Sequence, residues 1–285
     1  MFDSAKAMLA SVPCDVLVVA AEPTSHAELI VLGLEHGSHL VCEKPLVLTR
    51  GDYDRVRKAH AEWPQLGIVA VHQYRYSRAW RAISRWARLA ARLHLPFSLD
   101  VEVSREGIDP LSASTWRSDG ELSGGMLADH GVHYLALAWT VDQHLNVLAA
   151  ARSAVEMGER AVASVHIGSG VLTIRSHRGS LGRRTRVALH FANVELRWRD
   201  ETVDVIVAGH VVLRRPAATL ADRGHVDSLY EHFYRDLARN LRRPAWRGHR
   251  TAETLVVGHA LLELLELSQS PPTGAPLSRV GRRSR

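Results

Sequence analysis

Lysine is nearly absent from this chain. Of its 36 lysine and arginine side chains only Lys6, Lys44 and Lys58 are lysine, in 285 residues of formal net charge +6. The arginines run along the whole length and form no single stripe with interleaved aromatics, so a nucleic-acid partner is not expected. The basic cluster Arg279 to Arg285 reads as part of a solvated terminal tail over 271–285. Cysteine is as scarce: Cys14 and Cys42 exclude a disulfide framework and a thiolate zinc site, and both fall at apolar, strand-like positions. No apolar run approaches the ~18 residues of a spanning helix, and no basic segment leads into an apolar one at the N-terminus. The expectation is a cytoplasmic protein without a membrane partner.

What is present is an alternation of strand and helix. Asp15 to Ala21 (DVLVVAA) is a continuous β-branched run, the pattern of a parallel strand covered on both faces. Ser25 to Gly37 reads as a helix with Ser25 as its cap. A strand follows at His39 to Cys42, then a helix capped by Thr49 and ending before Pro64, then a strand at Gly67 to His72. Beyond a long helix at Ser77 to Leu93 and a strand at Phe97 to Ser104, the rhythm changes. A helix at Gly124 to Val141 precedes a succession of β segments: 147–153, 161–167, 171–176, 186–191, 194–199 and 203–207. Two helices, Val226 to Leu241 and Thr251 to Leu267, close the chain. The fold class is α/β: a partial Rossmann-type parallel sheet over residues 1–76, then an α+β domain over 77–270 with an open, mainly antiparallel sheet. The second face of that sheet, carrying Val, Leu and Trp198, is expected to make a homo-oligomer.

Two groups of residues stand out chemically. Glu43-Lys44-Pro45 lies where a parallel strand ends, and ligands sit outside the carboxyl ends of such strands. Alone it also reads as an ordinary loop with a surface lysine. Retaining Lys44 in so arginine-biased a chain points to a required ammonium. Asp129 and His133 are four apart on a helix, so the carboxylate can orient the imidazole as a general base; a surface pair or a buried structural histidine fits the spacing too. Ser123-Gly124-Gly125 lets the backbone approach something closely. His130 points elsewhere on the helix and no further ligand cluster is apparent, so no metal site is expected.

These segments resemble the Gfo/Idh/MocA oxidoreductases. The stretch DVLVVAAEPTSHAELIVLGLEHGSHLVCEKPL is similar to that family's strand, turn, helix and strand ending in EKP. WRSDGELSGGMLADHGVHYL is similar to its WR…GG…D.G.H segment, and YRDLARNLRRP to its C-terminal pattern. The resemblance implies hydride transfer between NAD or NADP and a sugar- or cyclitol-like secondary alcohol, with Lys44, Asp129 and His133 catalytic. It places Pro23, His26 and Glu43 beside the nicotinamide, and Arg75, Trp116 and Arg117 around the substrate.

The chain departs from the family in having no GxGxxG; Gly33, Gly37 and Gly51 are isolated. The expectation is a chain that starts partway through the nucleotide-binding domain and binds NAD(H) or NADP(H) only loosely on its own. Glu22, before Pro23, adds a like charge toward the pyrophosphate. Two other readings stay open. One is a cofactor-independent lyase, epimerase or cyclase that reuses the Lys/Asp/His site. The other is a non-catalytic partner subunit.

Overall fold

The computed structural model describes residues 2–107, 123–155, 158–199 and 201–269. Trp116 and Arg117 lie outside the described residues. Helix α1 (Ala5–Ser11), short and absent from the sequence reading, leads into β1 (Val16–Val19), α2 (Pro23–Glu35), β2 (His39–Cys42), α3 (Arg50–Glu62) and β3 (Ile68–Ala70). The strands form a parallel sheet in the order β1-β2-β3. Leu40, Val41 and Cys42 of β2 are all fully buried, as its unbroken apolar run requires. The start of α2 differs from expectation: Glu22 is its N-cap and Pro23 its first residue, so the helix begins two residues before Ser25. Proline fits there because its missing N–H would have been unpaired anyway.

A single 3₁₀ turn (Gln73–Tyr76) joins β3 to α4 (Arg78–Arg92), and Ser77 caps that helix by accepting from the Trp80 N–H. Then comes β4 (Phe97–Glu106). A π-helical turn (Leu127–Gly131) runs directly into α5 (Val132–Trp139). The larger sheet has eight strands in the order β11-β10-β9-β8-β4-β7-β6-β5. Its later strands are β5 (Asn146–Val155), β6 (Gly158–Ile167), β7 (Gly170–Ser180), β8 (Arg184–Phe191), β9 (Val194–Arg199), β10 (Thr202–Val207) and β11 (His210–Pro216). Only β4 and β7 pair in parallel; the other neighbours are antiparallel. The fold is thus the expected parallel sheet plus an open, mainly antiparallel one.

Period-two alternation decides which face of the large sheet is buried. Leu99, Val101, Leu172, Ile174, Val187, Leu189, Leu196 and Trp198 all point into the core under α4 and α5. Trp198 is therefore a core residue and does not belong to the open face, contrary to the expectation. The open face instead carries charge: Arg175 pairs with Asp100 at 3.0 Å and Arg186 with Glu102 at 3.8 Å. Strand β11, unpredicted, is exposed along its whole length.

The last two helices, α6 (Arg223–Asn240) and α7 (Pro244–Gln269), return to the parallel sheet across the boundary expected at residue 76. Phe233, Leu237 and Leu241 cover Val41, Val69 and Val71. Thr251 and Thr254 of α7 accept from the N–H groups of Ile68 and Ala70 at 3.0 and 2.9 Å, satisfying the free edge of β3.

Candidate active site

The carboxyl ends of β1, β2 and β3 open onto a cavity of about 600 Å³ lined by Glu22, Pro23, Glu43, Lys44, Gln73, Tyr74, His130, His133 and Tyr230 among others. Each wall has a local cause. Glu43 follows the last residue of β2, and its N–H donates to the Val19 carbonyl at 2.8 Å, so the sheet ladder fixes the base of the loop. The next peptide, Lys44-Pro45, is cis. His26 is fully buried beneath it: its Nδ1 is 2.8 Å from the Pro45 carbonyl oxygen and its Nε2 3.1 Å from that of Ala21. Both ring nitrogens are engaged by the loops, so His26 braces the cavity from behind and is not one of its lining residues.

Asp129 lies behind Lys44, outside the cavity's lining. Its Oδ1 accepts from Lys44 Nζ at 2.8 Å, and its own carbonyl oxygen accepts from the same ammonium at 2.7 Å. Its Oδ2 accepts from Arg178 Nη2 at 3.0 Å and lies 3.4 Å from His130 Nε2. Burial raises the Asp129 pKa, but the groups around it, Lys44 foremost, outweigh it and hold the carboxyl well below the usual carboxylate range. Lys44 is thereby fixed by two oxygens of one residue.

The sequence reading had Asp129 orienting His133 and had His130 turned away; the structure does neither. Residues 127–131 wind as a π-turn, which has more residues per turn than an α-helix and rotates Asp129 off the face of the residue four positions on. The same widening brings His130 to the cavity beside His133. His133 is instead set by Tyr74, whose ring stacks on it with centroids 4.0 Å apart and planes 15° apart. Its Nδ1 is buried without a hydrogen-bond partner among the described residues. Burial, then the Lys44 charge, push the His133 pKa well below its ordinary value, so the ring is neutral near pH 7. Burial likewise takes His130 down to about 3, against the pull of Asp129.

The glycines ahead of this segment do allow a close approach, though the visitor is protein. Gly124 and Gly125 have φ of +67° and +64°, and a Cβ on Gly125 would lie 2.5 Å from Glu159 Oε2. That carboxylate accepts the Met126 N–H at 2.9 Å. Arg75 is another correction: it does not line the cavity, because Oε2 of Glu253 in α7 holds its guanidinium together with that of Arg250, while Oε1 lies 3.3 Å from His72 Nδ1. Tyr74, Gln73, Tyr230 and Arg178 were missed. For the first two, their place just beyond β3 was a usable signal; Arg178 and Tyr230 arrive from distant strands and helices. The described residues hold no group of three or more His, Cys, Asp or Glu side chains placed for a metal ion.

The site is thus a ligand-sized opening at the carboxyl ends of a parallel sheet, in a chain whose second sheet is open and mainly antiparallel. Residues 1–70 match the model of the Gfo/Idh/MocA family, an oxidoreductase family with an NAD-binding Rossmann fold. The D-apiose dehydrogenase of Paraburkholderia graminis is 28% identical over 176 residues, which is 62% of this chain and 45% of that protein. The chain spans less than half the length of the curated relatives it matches. Among solved structures, levoglucosan dehydrogenase in complex with NADH and levoglucosan superposes with a TM-score of 0.70 at 16% identity, covering 93% of this chain and 82% of that one. The WlbA dehydrogenase of Bordetella pertussis, in complex with NADH and UDP-GlcNAcA, gives 0.65 at 18% identity, covering 91% and 79%. At these identities the superpositions show a shared fold. The resemblance to Gfo/Idh/MocA oxidoreductases read from the motifs agrees with the family match over residues 1–70, and the superpositions show the expected two-sheet fold.

Proposed function

We propose that this chain is a nicotinamide-dependent oxidoreductase that takes a sugar- or cyclitol-like secondary alcohol, with residues 1–76 contributing to the dinucleotide side and 77–270 to the substrate side. The carrying observation is a neutral buried imidazole, His133, facing the same cavity as the anchored Lys44 ammonium. The cofactor fit rests on the cavity's position at the carboxyl ends of β1 and β2, next to the N-terminus of α2, with Pro23 and Glu43 in its wall. When bound there, nicotinamide supplies the hydride acceptor.

The protein's own part is proton and charge management. His133, a neutral imidazole in the cavity wall, takes the hydroxyl proton of the alcohol. Tyr74 fixes the ring plane by stacking. Lys44 stabilises the alkoxide charge that develops as the proton leaves, an effect usually worth a few kcal/mol. Asp129 holds Lys44 in place and stays ionised while it does so. Its role is to position the ammonium, not the imidazole.

The test is a spectrophotometric screen at 340 nm of polyols, aldoses and cyclitols with NAD⁺ and NADP⁺. Oxidation that is lost in His133→Ala and Lys44→Ala supports the reading. Turnover of such compounds without any nicotinamide would instead favour a redox-neutral lyase, epimerase or cyclase.

A further inference from the structure

At the end of the large sheet the core-facing register positions switch from apolar to basic. On β4, Leu99, Val101 and Val103 are followed on the same face by Arg105; on β7, Leu172, Ile174 and Ser176 are followed by Arg178, and Arg105 and Arg178 are paired neighbours. Arg178 is occupied by Asp129. Arg105 is 4% exposed and donates to the Ser104 and Arg184 carbonyls at 2.8 and 3.0 Å and to Thr185 Oγ1, while its Nε is buried without an acceptor among the described residues.

Just beyond Arg105 lies a second cavity of about 560 Å³, walled by Arg183, Arg184, Thr185, Arg199, Glu201 and Arg214 with a few smaller residues. Arg214 is neutralised by both oxygens of Asp204, at 2.7 and 3.0 Å. Glu201 offsets one of the remaining three guanidinium charges. Arg183 donates only to the Ala221 carbonyl, at 3.3 Å, and no carboxylate holds it among the described contacts. Loss of water first, then Arg105 and Arg223, push its pKa below the usual guanidinium range, against a smaller opposing pull from Tyr74 and Glu106. Arg105 links the two sites by contact: it bonds Arg184 and Thr185 in the wall of the second cavity, and its strand partner Arg178 holds Asp129, which anchors Lys44. Like charges gathered in a concave site are stabilised by an incoming anion.

We propose that the second cavity binds the anionic group, phosphate or carboxylate, of the substrate whose alcohol reaches His133. This rests on the dehydrogenase reading and narrows its substrate class to sugar phosphates or sugar acids. Arg183 and Arg184 bind the anion, and Arg105 braces the wall behind them.

The experiment titrates the full chain with inorganic phosphate and with gluconate at low ionic strength, by calorimetry. Phosphate should bind the wild type and Lys44→Ala alike, and gluconate should bind the wild type. Affinity should fall about 10–100-fold in Arg183→Ala/Arg184→Ala, the loss expected for one or two charge-assisted hydrogen bonds. Arg183→Lys, which keeps the charge, should retain most of it and guards against a folding artefact. Tighter phosphate assigns a phosphate ester, tighter gluconate a carboxylate. Binding that is unchanged in the double variant, or phosphate binding lost in Lys44→Ala instead, overturns the proposal. A failed search for alcohol oxidation sinks the dehydrogenase reading while leaving this titration decisive for the anion site.

Discussion

Asp129→Asn is the most informative single change, because one carboxylate balances two cations. In the native chain Asp129 receives charge-assisted hydrogen bonds from Lys44 at 2.8 Å and Arg178 at 3.0 Å. Bonds of that kind contribute ~1.5–3 kcal/mol each, so the pair is worth about 3–6 kcal/mol. An asparagine keeps one acceptor oxygen but turns an NH₂ toward the other cation. About half the interaction is lost and one ammonium or guanidinium is left without its counter-charge, for a net destabilisation of ~2–4 kcal/mol. In a chain of this size that lowers Tm by roughly 3–7 °C, measurable by circular dichroism. The pH dependence gives a second reading. The folded pKa of Asp129 is depressed, so its stabilisation is full above the unfolded value of about 3.9 and disappears as pH falls through the folded one. The gap between wild type and Asp129→Asn should accordingly be constant near neutrality and narrow below about pH 4. A variant as stable as wild type at neutral pH would refute the account of Asp129 as the ionised hub.

The remaining expectations are more local. His133→Ala should lower turnover about 10²–10⁴-fold. Because burial depresses the His133 pKa, the pH–rate profile should show no acid limb from it between about pH 6 and 8; a limb centred near 6.5 that vanishes in the variant would contradict a buried neutral base. Glu22→Gln should tighten NADH about threefold to tenfold in calorimetric titration, since Glu22 lines the cavity at the N-terminus of α2; unchanged affinity would mean that the carboxylate does not face the anionic cofactor. Self-association, if present at micromolar concentration, should involve the exposed edge strand β11 with Val211, Val212 and Leu213, and charged substitutions there should shift sedimentation toward monomer.

Much of the fold was legible because period and punctuation agree with it. The continuous run at Val16–Val19, the Thr49 cap and the alternation along β4 each state their element locally. What misled was anything settled by distant partners. Trp198 has the composition of an exposed aromatic on an open sheet, but the register places it inward. Strand β11 has no buried face and so no hydrophobic pattern to betray it. In the site, the residue types were visible but their pairing was not. Spacing by four predicted an Asp129–His133 bond on α-helical geometry, and one π-turn was enough to exchange it for Lys44 and Arg178.

That exchange also changes which lysine signal mattered. Arginine could replace most lysines here without penalty, since most basic side chains face solvent or make single ion pairs. At position 44 the cation must fit between the side-chain and main-chain oxygens of Asp129, at 2.8 and 2.7 Å, inside a cavity that must also admit substrate. A compact ammonium meets both oxygens from one nitrogen, whereas a planar guanidinium would extend across the opening. Lys44→Arg therefore keeps the charge and the partner but fills the space beside His133. It should cost less stability than Asp129→Asn, because the charge pair is kept, while abolishing most turnover. If Lys44→Arg instead retained near-native activity, the ammonium would be serving only as a counter-ion to Asp129, and the alkoxide-stabilising role assigned to it would be wrong.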